Sequence, residues 1–300
     1  MKIALAQVRS INKIGFNFGV CEKLIKEASE HKASLICFPE CFAFMGTSAT
    51  ETIANSGSLD SELFKSYQDL ARKYSINISY GGYHEKSSND PHKIFNSHIL
   101  VNNNGEIINV YRKVHLFDLN TEKVKLKESE ITEFGKDLLV DDGGLIFSND
   151  LKIGLSICYD LRFPELYILL RKMNNAKILL VPAAFTKHTG ELGHWKTLLM
   201  ARAIENQCYV IASAQVGTHN LKRQSYGHSL VIDPLGKIIL DLGSQEETFD
   251  LDIQEKEPFE GKLGFVEIDD WISNIKKVRE GMPVFDHKRS DLYDVITKKD

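Results

Sequence analysis

Short apolar runs alternate with segments of helical spacing along most of the chain. Residues 3–8 are apolar enough for a β-strand. Residues 17–31 then repeat apolar side chains at helical spacing, as Leu24 and Ala28 illustrate. A second apolar run, at residues 33–38, ends at Pro39. This alternation predicts an α/β fold.

The remaining predicted elements continue the alternation. Further helices are predicted at residues 59–74, 164–173, 195–207 and 269–278, and further strands at 76–83, 94–101, 107–111, 152–158, 177–181, 208–214, 225–232, 237–240, 247–251 and 264–268. The sequence Asn102-Asn103-Asn104-Gly105 predicts the turn of an antiparallel hairpin. Residues 117–142 are polar and weakly periodic, which indicates a long loop. No linker rich in Pro, Gly or Ser divides the sequence, so we expect residues 1–300 to form a single domain with mixed strand pairing.

Composition and charge narrow the class of partner. The chain has 300 residues, of which 43% are hydrophobic and 26% are charged, as is ordinary for a globular enzyme. The formal net charge is −4, and no block of lysines or arginines would bind phosphates, so we expect no nucleic acid partner. The apolar runs are too short to span a bilayer, so we expect no membrane partner either.

The first residues and the cysteines predict a cytoplasmic protein. Residues 1–8 lack the long apolar region of a signal peptide and read as the first strand. The cysteines are odd in number and form no CxxC pair: Cys21, Cys37, Cys41, Cys158 and Cys208. We therefore expect reduced thiols, without a zinc site or a disulfide framework.

Cys158 has a sequence context that suits a nucleophile. It ends an apolar strand and precedes a helix that Pro164 opens, where a proline costs no hydrogen bond. A residue at such a corner is exposed at the edge of a sheet, and nearby backbone N–H groups favour a thiolate. A buried structural thiol is the commoner fate of a lone cysteine, so these residues alone leave both interpretations open.

Two other strand ends carry an acid and a cation. Glu40 follows an apolar run, where desolvation would raise the pKa of its carboxyl toward the range of a general base. Lys113 follows another strand, where an ammonium would hold the oxyanion of a tetrahedral intermediate. Each residue alone is more often a solvated surface charge. Together with a thiol, they form the set that acyl transfer needs.

Three motifs resemble those of the nitrilase superfamily of carbon–nitrogen hydrolases, in the same order and spacing. They are Phe38-Pro39-Glu40, Tyr111-Arg112-Lys113-Val114-His115-Leu116 and Cys158-Tyr159-Asp160-Leu161-Arg162-Phe163-Pro164-Glu165. Gly81-Gly82-Tyr83-His84-Glu85, the segment at residues 201–210 and Ser225-Tyr226-Gly227-His228-Ser229 are similar to the deaminated glutathione amidase branch. The segment at residues 283–293 resembles both that branch and the ω-amidases. The similarity runs from residue 3 to about residue 293.

The resemblance implies a fold and a mechanism. The fold is a four-layer α-β-β-α sandwich of the nitrilase type with mixed sheets, in subunits that pair as a homodimer. Cys158 is implied as the nucleophile, Glu40 as the general base and acid, and Lys113 as the oxyanion stabiliser. Neither a metal nor an organic cofactor is implied.

The resemblance also implies supporting residues. A second glutamate is expected in the loop after Lys113, and Glu128 matches it best by position. Its neighbours Glu122, Glu130 and Glu133 leave that alignment open, as does Phe134-Gly135, where relatives commonly have Pro-Gly. The backbone N–H of Tyr159 would help to bind the oxyanion, and Arg162, Phe185 and Thr186 would contact the substrate.

The branch implies deaminated glutathione as the small-molecule substrate, hydrolysed to 2-oxoglutarate and cysteinylglycine in a metabolite-repair reaction. Because this substrate carries carboxylates, Arg162 is expected to bind one of them. An ion pair between Arg162 and Asp160 or Glu165 is the equally open alternative.

Five alternatives compete with this function. An ω-amidase that acts on 2-oxoglutaramate would share every catalytic residue, whereas true nitrile hydrolysis fits the motif surroundings less well. A papain-like peptidase would pair Cys158 with His194 or His228. A non-catalytic scaffold would keep the fold without turnover. A metal site is the fifth alternative, but the spacings of its candidate ligands fit no metal-binding pattern: His84, His92 and His98, or His188 and His194.

Overall fold

The strands and helices are taken from a computed structural model that describes residues 1–120, 125–138, 140–141, 151–244, 261–289 and 291–293. The strands are β1 (Lys2–Gln7), β2 (Leu35–Phe38), β3 (Asn77–Lys86), β4 (Ile94–Val101), β5 (Ile107–Arg112), β6 (Asp118–Asn120), β7 (Lys125–Lys127), β8 (Val140–Asp141), β9 (Ile153–Leu155), β10 (Ile178–Leu180), β11 (Tyr209–Ala212), β12 (Val216–Asn220), β13 (Arg223–Tyr226), β14 (Leu230–Ile232), β15 (Ile238–Asp241) and β16 (Lys262–Glu267). The helices are α1 (Ile14–Glu30), α2 (Ala49–Ala54), α3 (Glu62–Tyr74), α4 (Pro164–Asn174), α5 (Lys187–Glu191), α6 (His194–Asn206) and α7 (Trp271–Gly281). Short 3-10 helices cover Glu128–Glu130 and Cys158–Arg162.

Two six-stranded sheets form the centre of the molecule. Their strand orders are β16-β1-β2-β3-β4-β5 and β15-β14-β11-β10-β9-β8. In the first sheet β1, β2 and β3 are parallel, and in the second β9, β10 and β11 are parallel, while the flanking strands are antiparallel. Parallel neighbours need a crossover connection, which α1, α3, α4 and α6 supply. The prediction of mixed strand pairing is confirmed.

The layers follow from the alternation of side chains along each strand. In β1, Ala4 and Ala6 belong to the apolar cluster beneath α1 and α3, whereas Ile3 and Leu5 belong to the cluster between the two sheets. A third cluster, which contains Trp195, packs α4 and α6 onto the second sheet. The order is therefore helices, sheet, sheet, helices, and the predicted four-layer α-β-β-α sandwich is confirmed.

Most predicted elements match an observed one, including the β4–β5 hairpin. The strand predicted at residues 225–232 is wrong, because the chain turns at Gly227 and His228, both with positive φ (79° and 53°). Its two halves are β13 and β14, which belong to different sheets. The long loop predicted at residues 117–142 contains a short ribbon, β6 paired with β7, and the 3-10 helix at Glu128–Glu130.

Some elements had no counterpart in the sequence prediction. Helices α2 and α5 and strand β12 are too short to show a clear period. The strand predicted at residues 247–251 lies outside the described residues. Among the helices that the structure describes, none is long and apolar enough to cross a membrane.

Candidate active site

Three strand exits bring an acid, a cation and a thiol together. Glu40 follows β2 and Lys113 follows β5, both in the first sheet, while Cys158 follows β9 in the second. The backbone N–H of Ala184, beyond β10, donates to Glu40 Oε2 over 2.8 Å and so joins the two sheets at this point. The site therefore lies where strand ends of both sheets meet.

Glu40 is almost fully buried, yet its pKa lies below the ordinary value. Burial favours the neutral acid, but the charges of Lys113 and Arg223 outweigh that effect and lower the pKa of Glu40. The distance from Lys113 Nζ to Glu40 Oε1 is 3.1 Å. Desolvation acts in the expected direction, but the expectation of a raised pKa is wrong, because it considered burial without the two cations.

Lys113 binds two carboxylates at once. Its side chain is 2% exposed, and Nζ also donates to Glu128 Oε1 at 3.1 Å and Oε2 at 2.9 Å. Burial disfavours the ammonium, but Glu128 and Glu40 raise the pKa of Lys113 well above its ordinary value. Lys113 is therefore fixed as a cation across the pH range in which an enzyme works.

Among the described glutamates of the long loop, Glu128 reaches this cluster. Besides Lys113, its carboxylate accepts a hydrogen bond from the backbone N–H of Phe117 at 2.7 Å. Its neighbours point elsewhere, since Glu130 pairs with Lys127 and Glu133 accepts from Ser87. Glu122 lies outside the described residues.

Cys158 begins a 3-10 helix instead of ending a strand, because β9 stops at Leu155. Its φ of 46° is unusual for a residue with a side chain, and such backbone strain concentrates at functional sites. Its backbone N–H donates to Pro182 O at 2.9 Å, which holds the strained turn. Cys158 is half-buried, whereas the other four cysteines are buried.

The Cys158 thiol is neutral in the resting site. Burial and the nearby Glu40 carboxylate raise its pKa well above the ordinary value, and Lys113 opposes this only in part. A backbone N–H does favour the thiolate, as expected, since that of Ala184 lowers the pKa of Cys158, but burial and Glu40 outweigh it. The Glu40 carboxylate is close enough to raise the pKa of the thiol, and it is therefore the candidate acceptor of the thiol proton.

Asp160 ties the lysine segment to the cysteine segment. Its buried carboxylate accepts from Tyr111 Oη at 2.8 Å and from the backbone N–H of Ile157 at 2.9 Å. It also accepts from the backbone N–H of His115 at 3.1 Å, and His115 Nδ1 lies 2.7 Å from it. These contacts hold Lys113 and Cys158, which neighbour the bonded residues, in a fixed relation.

Sequence reasoning missed Asn96, a buried residue of β4. Its Nδ2 donates to Glu40 Oε1 at 2.8 Å and lies 3.2 Å from Glu128 Oε1. The signal in the sequence was a polar residue inside the apolar strand predicted at residues 94–101. Gly82 gives room for this arrangement, because a Cβ there would lie 2.8 Å from both Glu40 Cγ and Asn96 Oδ1.

Arg162 lies among aromatic side chains next to the cysteine segment. Its guanidinium carbon is 6.0 Å from the ring centre of Tyr159 and 5.6 Å from that of Phe185. Both terminal nitrogens lie 3.4 Å from His194 Nδ1. Among the described residues it has no ion pair with Asp160 or Glu165, which leaves it available to a substrate carboxylate.

Tyr159, Phe185 and Thr186 border the same region. Tyr159 directly follows Cys158 in the 3-10 helix. Phe185 is buried against Trp195, and Thr186 caps α5 by accepting from the backbone N–H of Thr189. Both follow Ala184, whose N–H binds Glu40.

The histidines considered at the sequence level make other contacts. His228 Nδ1 lies 2.8 Å from Asp241 Oδ1, and His194 approaches Arg162. Neither is paired with Cys158 in the part of the chain that the structure describes. His84 Nε2 lies 3.6 Å from the Cys41 sulfur, and His98 is bound between Ser79 and Ser156.

Comparison with known proteins agrees with this geometry. Residues 2–257 match the carbon–nitrogen hydrolase family. The chain belongs to this family. It is 46% identical to the deaminated glutathione amidase of Dictyostelium discoideum, over 98% of this chain and 96% of that protein. The predicted resemblance to the nitrilase superfamily and to this branch is confirmed.

Solved structures of family members share the fold. The NitFhit protein of C. elegans is 40% identical, with a TM-score of 0.83 over 98% of this chain and 66% of that one. Nit3 of Saccharomyces cerevisiae, a member of branch 10 of the nitrilase superfamily, is 29% identical, with a TM-score of 0.78 over 96% of both chains. The chain is a carbon–nitrogen hydrolase that acts on amides.

Proposed function

We propose that this hydrolase cleaves the amide bond of deaminated glutathione, with Cys158 as the nucleophile. The observation that carries the chemistry is the cluster in which Lys113 Nζ binds both Glu40 and Glu128. The segment after β10 ties Cys158 to this cluster, because Pro182 O accepts from the Cys158 backbone N–H and the Ala184 N–H donates to Glu40. The identity to the Dictyostelium amidase supports the choice of substrate.

The first step moves one proton and forms one bond. Glu40 takes the thiol proton as the sulfur of Cys158 attacks the amide carbon. Because the pKa of Cys158 is raised and that of Glu40 is lowered, this transfer is unfavourable in the resting site and has to accompany C–S bond formation. Lys113 Nζ and the backbone N–H of Tyr159 stabilise the oxyanion, which makes the step possible.

The second half returns the enzyme to its starting state. The protonated Glu40 gives its proton to the departing amine as the C–N bond breaks, and leaves a thioester on Cys158. Glu40 then takes a proton from water, whose oxygen attacks the thioester. The Cys158 sulfur leaves and recovers a proton from Glu40. Glu128 holds Lys113 in position throughout and orients the water.

Deaminated glutathione carries a carboxylate on each side of the scissile amide. In this proposal Arg162 binds one of them, since its guanidinium has aromatic neighbours and is available to an anion. Phe185 and Thr186 line the substrate site. The charge-reversing variant Arg162→Glu should therefore raise the KM for the keto acid far more than the KM for a neutral amide. Equal increases for both substrates would contradict this role.

Steady-state hydrolysis of deaminated glutathione, measured beside 2-oxoglutaramate, tests the proposal. We expect kcat/KM to favour deaminated glutathione strongly, and Cys158→Ala to abolish the turnover of both. A preference for 2-oxoglutaramate would make the enzyme an ω-amidase and overturn the substrate alone. Turnover that persists in Cys158→Ala would overturn the nucleophile.

We also propose that residues 1–300 form one domain and that two copies pair as a cytoplasmic homodimer. The apolar cluster between the sheets supports one domain, because Ile3 of the first sheet and Ile178 of the second both belong to it. The exposed apolar side chains of Met173 on α4 and Ile204 on α6 support a paired surface there. Light scattering of the purified protein should give twice the mass of one chain, and urea should unfold the protein in a single transition. The mass of one chain would contradict the homodimer.

A further inference from the structure

The β12–β13 hairpin brings an arginine to the edge of the active site. Arg223 begins β13 and lies opposite Asn220 of β12. The hairpin is held in place from both sides: the backbone N–H of Tyr226 donates to Phe185 O at 2.9 Å, and His219 Nδ1 lies 2.8 Å from Ser10 O. Arg223 therefore has a well-anchored backbone next to the segment that carries Phe185.

The charge of Arg223 acts on the reacting groups. Burial of its guanidinium opposes the charge. The pKa of Arg223 is nevertheless raised by four nearby groups, which are Cys41, Glu40, Cys158 and Glu128. In return, Arg223 is one of the two cations that lower the pKa of Glu40. This mutual effect places its guanidinium within electrostatic range of the nucleophile.

The guanidinium has no partner of its own among the described residues. No hydrogen bond or ion pair is formed by its side chain there, although a guanidinium carries five N–H donors. The residue is half-buried and so remains open to a ligand. Nearby, Lys113 already satisfies the Glu40 and Glu128 carboxylates. A cation in this state is suited to a planar anion that enters with the substrate.

The chemistry of the substrate identifies that anion, and this step rests on the proposed function. The acyl half is a keto acid that stays on Cys158 as the thioester, whereas the amine half leaves with its own carboxylate. The charge of Arg223 lowers the pKa of Glu40, and Cys158 in turn raises the pKa of Arg223. Arg162 instead contacts Tyr159, Phe185 and His194 farther along the cysteine segment. We propose that Arg223 binds the carboxylate of the acyl half and thereby selects amides of keto acids.

Alkylation of Cys158 tests this role without any substrate. Iodoacetate carries a negative charge that iodoacetamide lacks. The ratio of the iodoacetate rate to the iodoacetamide rate at Cys158, followed by mass spectrometry, therefore reports a cation beside the thiol. In Arg223→Gln we expect this ratio to fall at least about tenfold, since a charge-assisted hydrogen bond is lost. The exposed neighbour offers a matched control, Lys222→Gln, which should keep the wild-type ratio. An unchanged ratio in Arg223→Gln would overturn the proposal.

A second variant guards against misfolding. Arg223→Lys keeps the charge but not the planar fork, so we expect an intermediate ratio with an unchanged thermal midpoint. A ratio in Arg223→Lys as low as in Arg223→Gln, with both proteins folded, would show that only the fork matters; a ratio unchanged in both would contradict binding by this side chain.

Kinetics separate this inference from the proposed function. In Arg223→Gln, kcat/KM for deaminated glutathione and for 2-oxoglutaramate should fall together by about tenfold to a hundredfold, because both share the acyl half. Inhibition by 2-oxoglutarate should weaken in parallel, whereas hydrolysis of a neutral short-chain amide should fall by a smaller factor, because it loses only the effect of the Arg223 charge on Glu40. Wild-type protein that hydrolyses neither keto amide would refute the proposed function. Wild-type protein that hydrolyses both, beside an Arg223→Gln variant with unchanged selectivity, would refute only the role of Arg223.

Discussion

Asn96 offers a direct test of how the site positions its carboxylates. Its side-chain amide donates to Glu40 over 2.8 Å and to Glu128 over 3.2 Å, and it is buried in β4. Substitution by leucine keeps the branched shape of the side chain but removes both donors. A hydrogen bond to a charged group contributes about 1.5–3 kcal/mol. Counting only the shorter bond, we expect kcat/KM for the amide to fall about 10- to 150-fold in Asn96→Leu.

The loss should appear in kcat more than in KM, because Glu40 is proposed to act on the proton and not to bind the substrate. The measurement is steady-state amide hydrolysis with the thermal midpoint recorded in parallel. Asn103→Ala, at the exposed β4–β5 turn, is the matched control and should retain wild-type rates. A well-folded Asn96→Leu protein with kcat/KM within twofold of wild type would refute the reasoning.

The isosteric variant Asn96→Asp tests the donor role through the direction in which activity changes with pH. When ionised, the new carboxylate repels Glu40 and Glu128; when protonated, it donates a hydrogen bond as the amide does. Its activity relative to wild type should therefore rise as the pH falls. A ratio that does not change with pH would contradict the donor role of Asn96.

Three further predictions follow from single contacts. Gly82→Ala should lower kcat at least tenfold, because its Cβ would lie 2.8 Å from Glu40 Cγ on a backbone with φ of 88°; unchanged kinetics would contradict this close approach. Asp160→Asn should lower the free energy of unfolding in urea by about 3 kcal/mol, since an amide N–H₂ replaces one of the two oxygens that accept from buried O–H and N–H donors; a loss below the error of the measurement would contradict it. Burial lowers the pKa of His98 from 6.5 to about 4, so the unfolded chain binds a proton first as the pH falls from neutral. His98 should therefore cost about 2 kcal/mol of stability at pH 5 relative to neutral pH, and His98→Gln should remove that part of the pH dependence measured by urea unfolding.

The elements of the fold could be predicted from local pattern, because the spacing of apolar side chains along a strand or helix follows from which of its faces are buried. In β1, the alternation of Ile3 and Leu5 with Ala4 and Ala6 assigns alternate side chains to the two faces of a sheet. The division of residues 225–232 into two strands was missed for the opposite reason. It depends on positive φ values at Gly227 and His228, and on two sheets that compete for the same segment.

The amino-acid sequence by itself determined the alternation of strands and helices and the three segments that carry Cys158, Glu40 and Lys113, because those features depend on neighbours along the chain. The layer order followed from the resemblance of those segments to a known family. Tertiary structure decided which of several glutamates meets the lysine, and it brought in Asn96 and Arg223 from distant strands. It also reversed the expected shift in the pKa of Glu40. Burial and charge at a site are sums over groups far apart in sequence, and only the folded chain brings those groups within electrostatic range of one another.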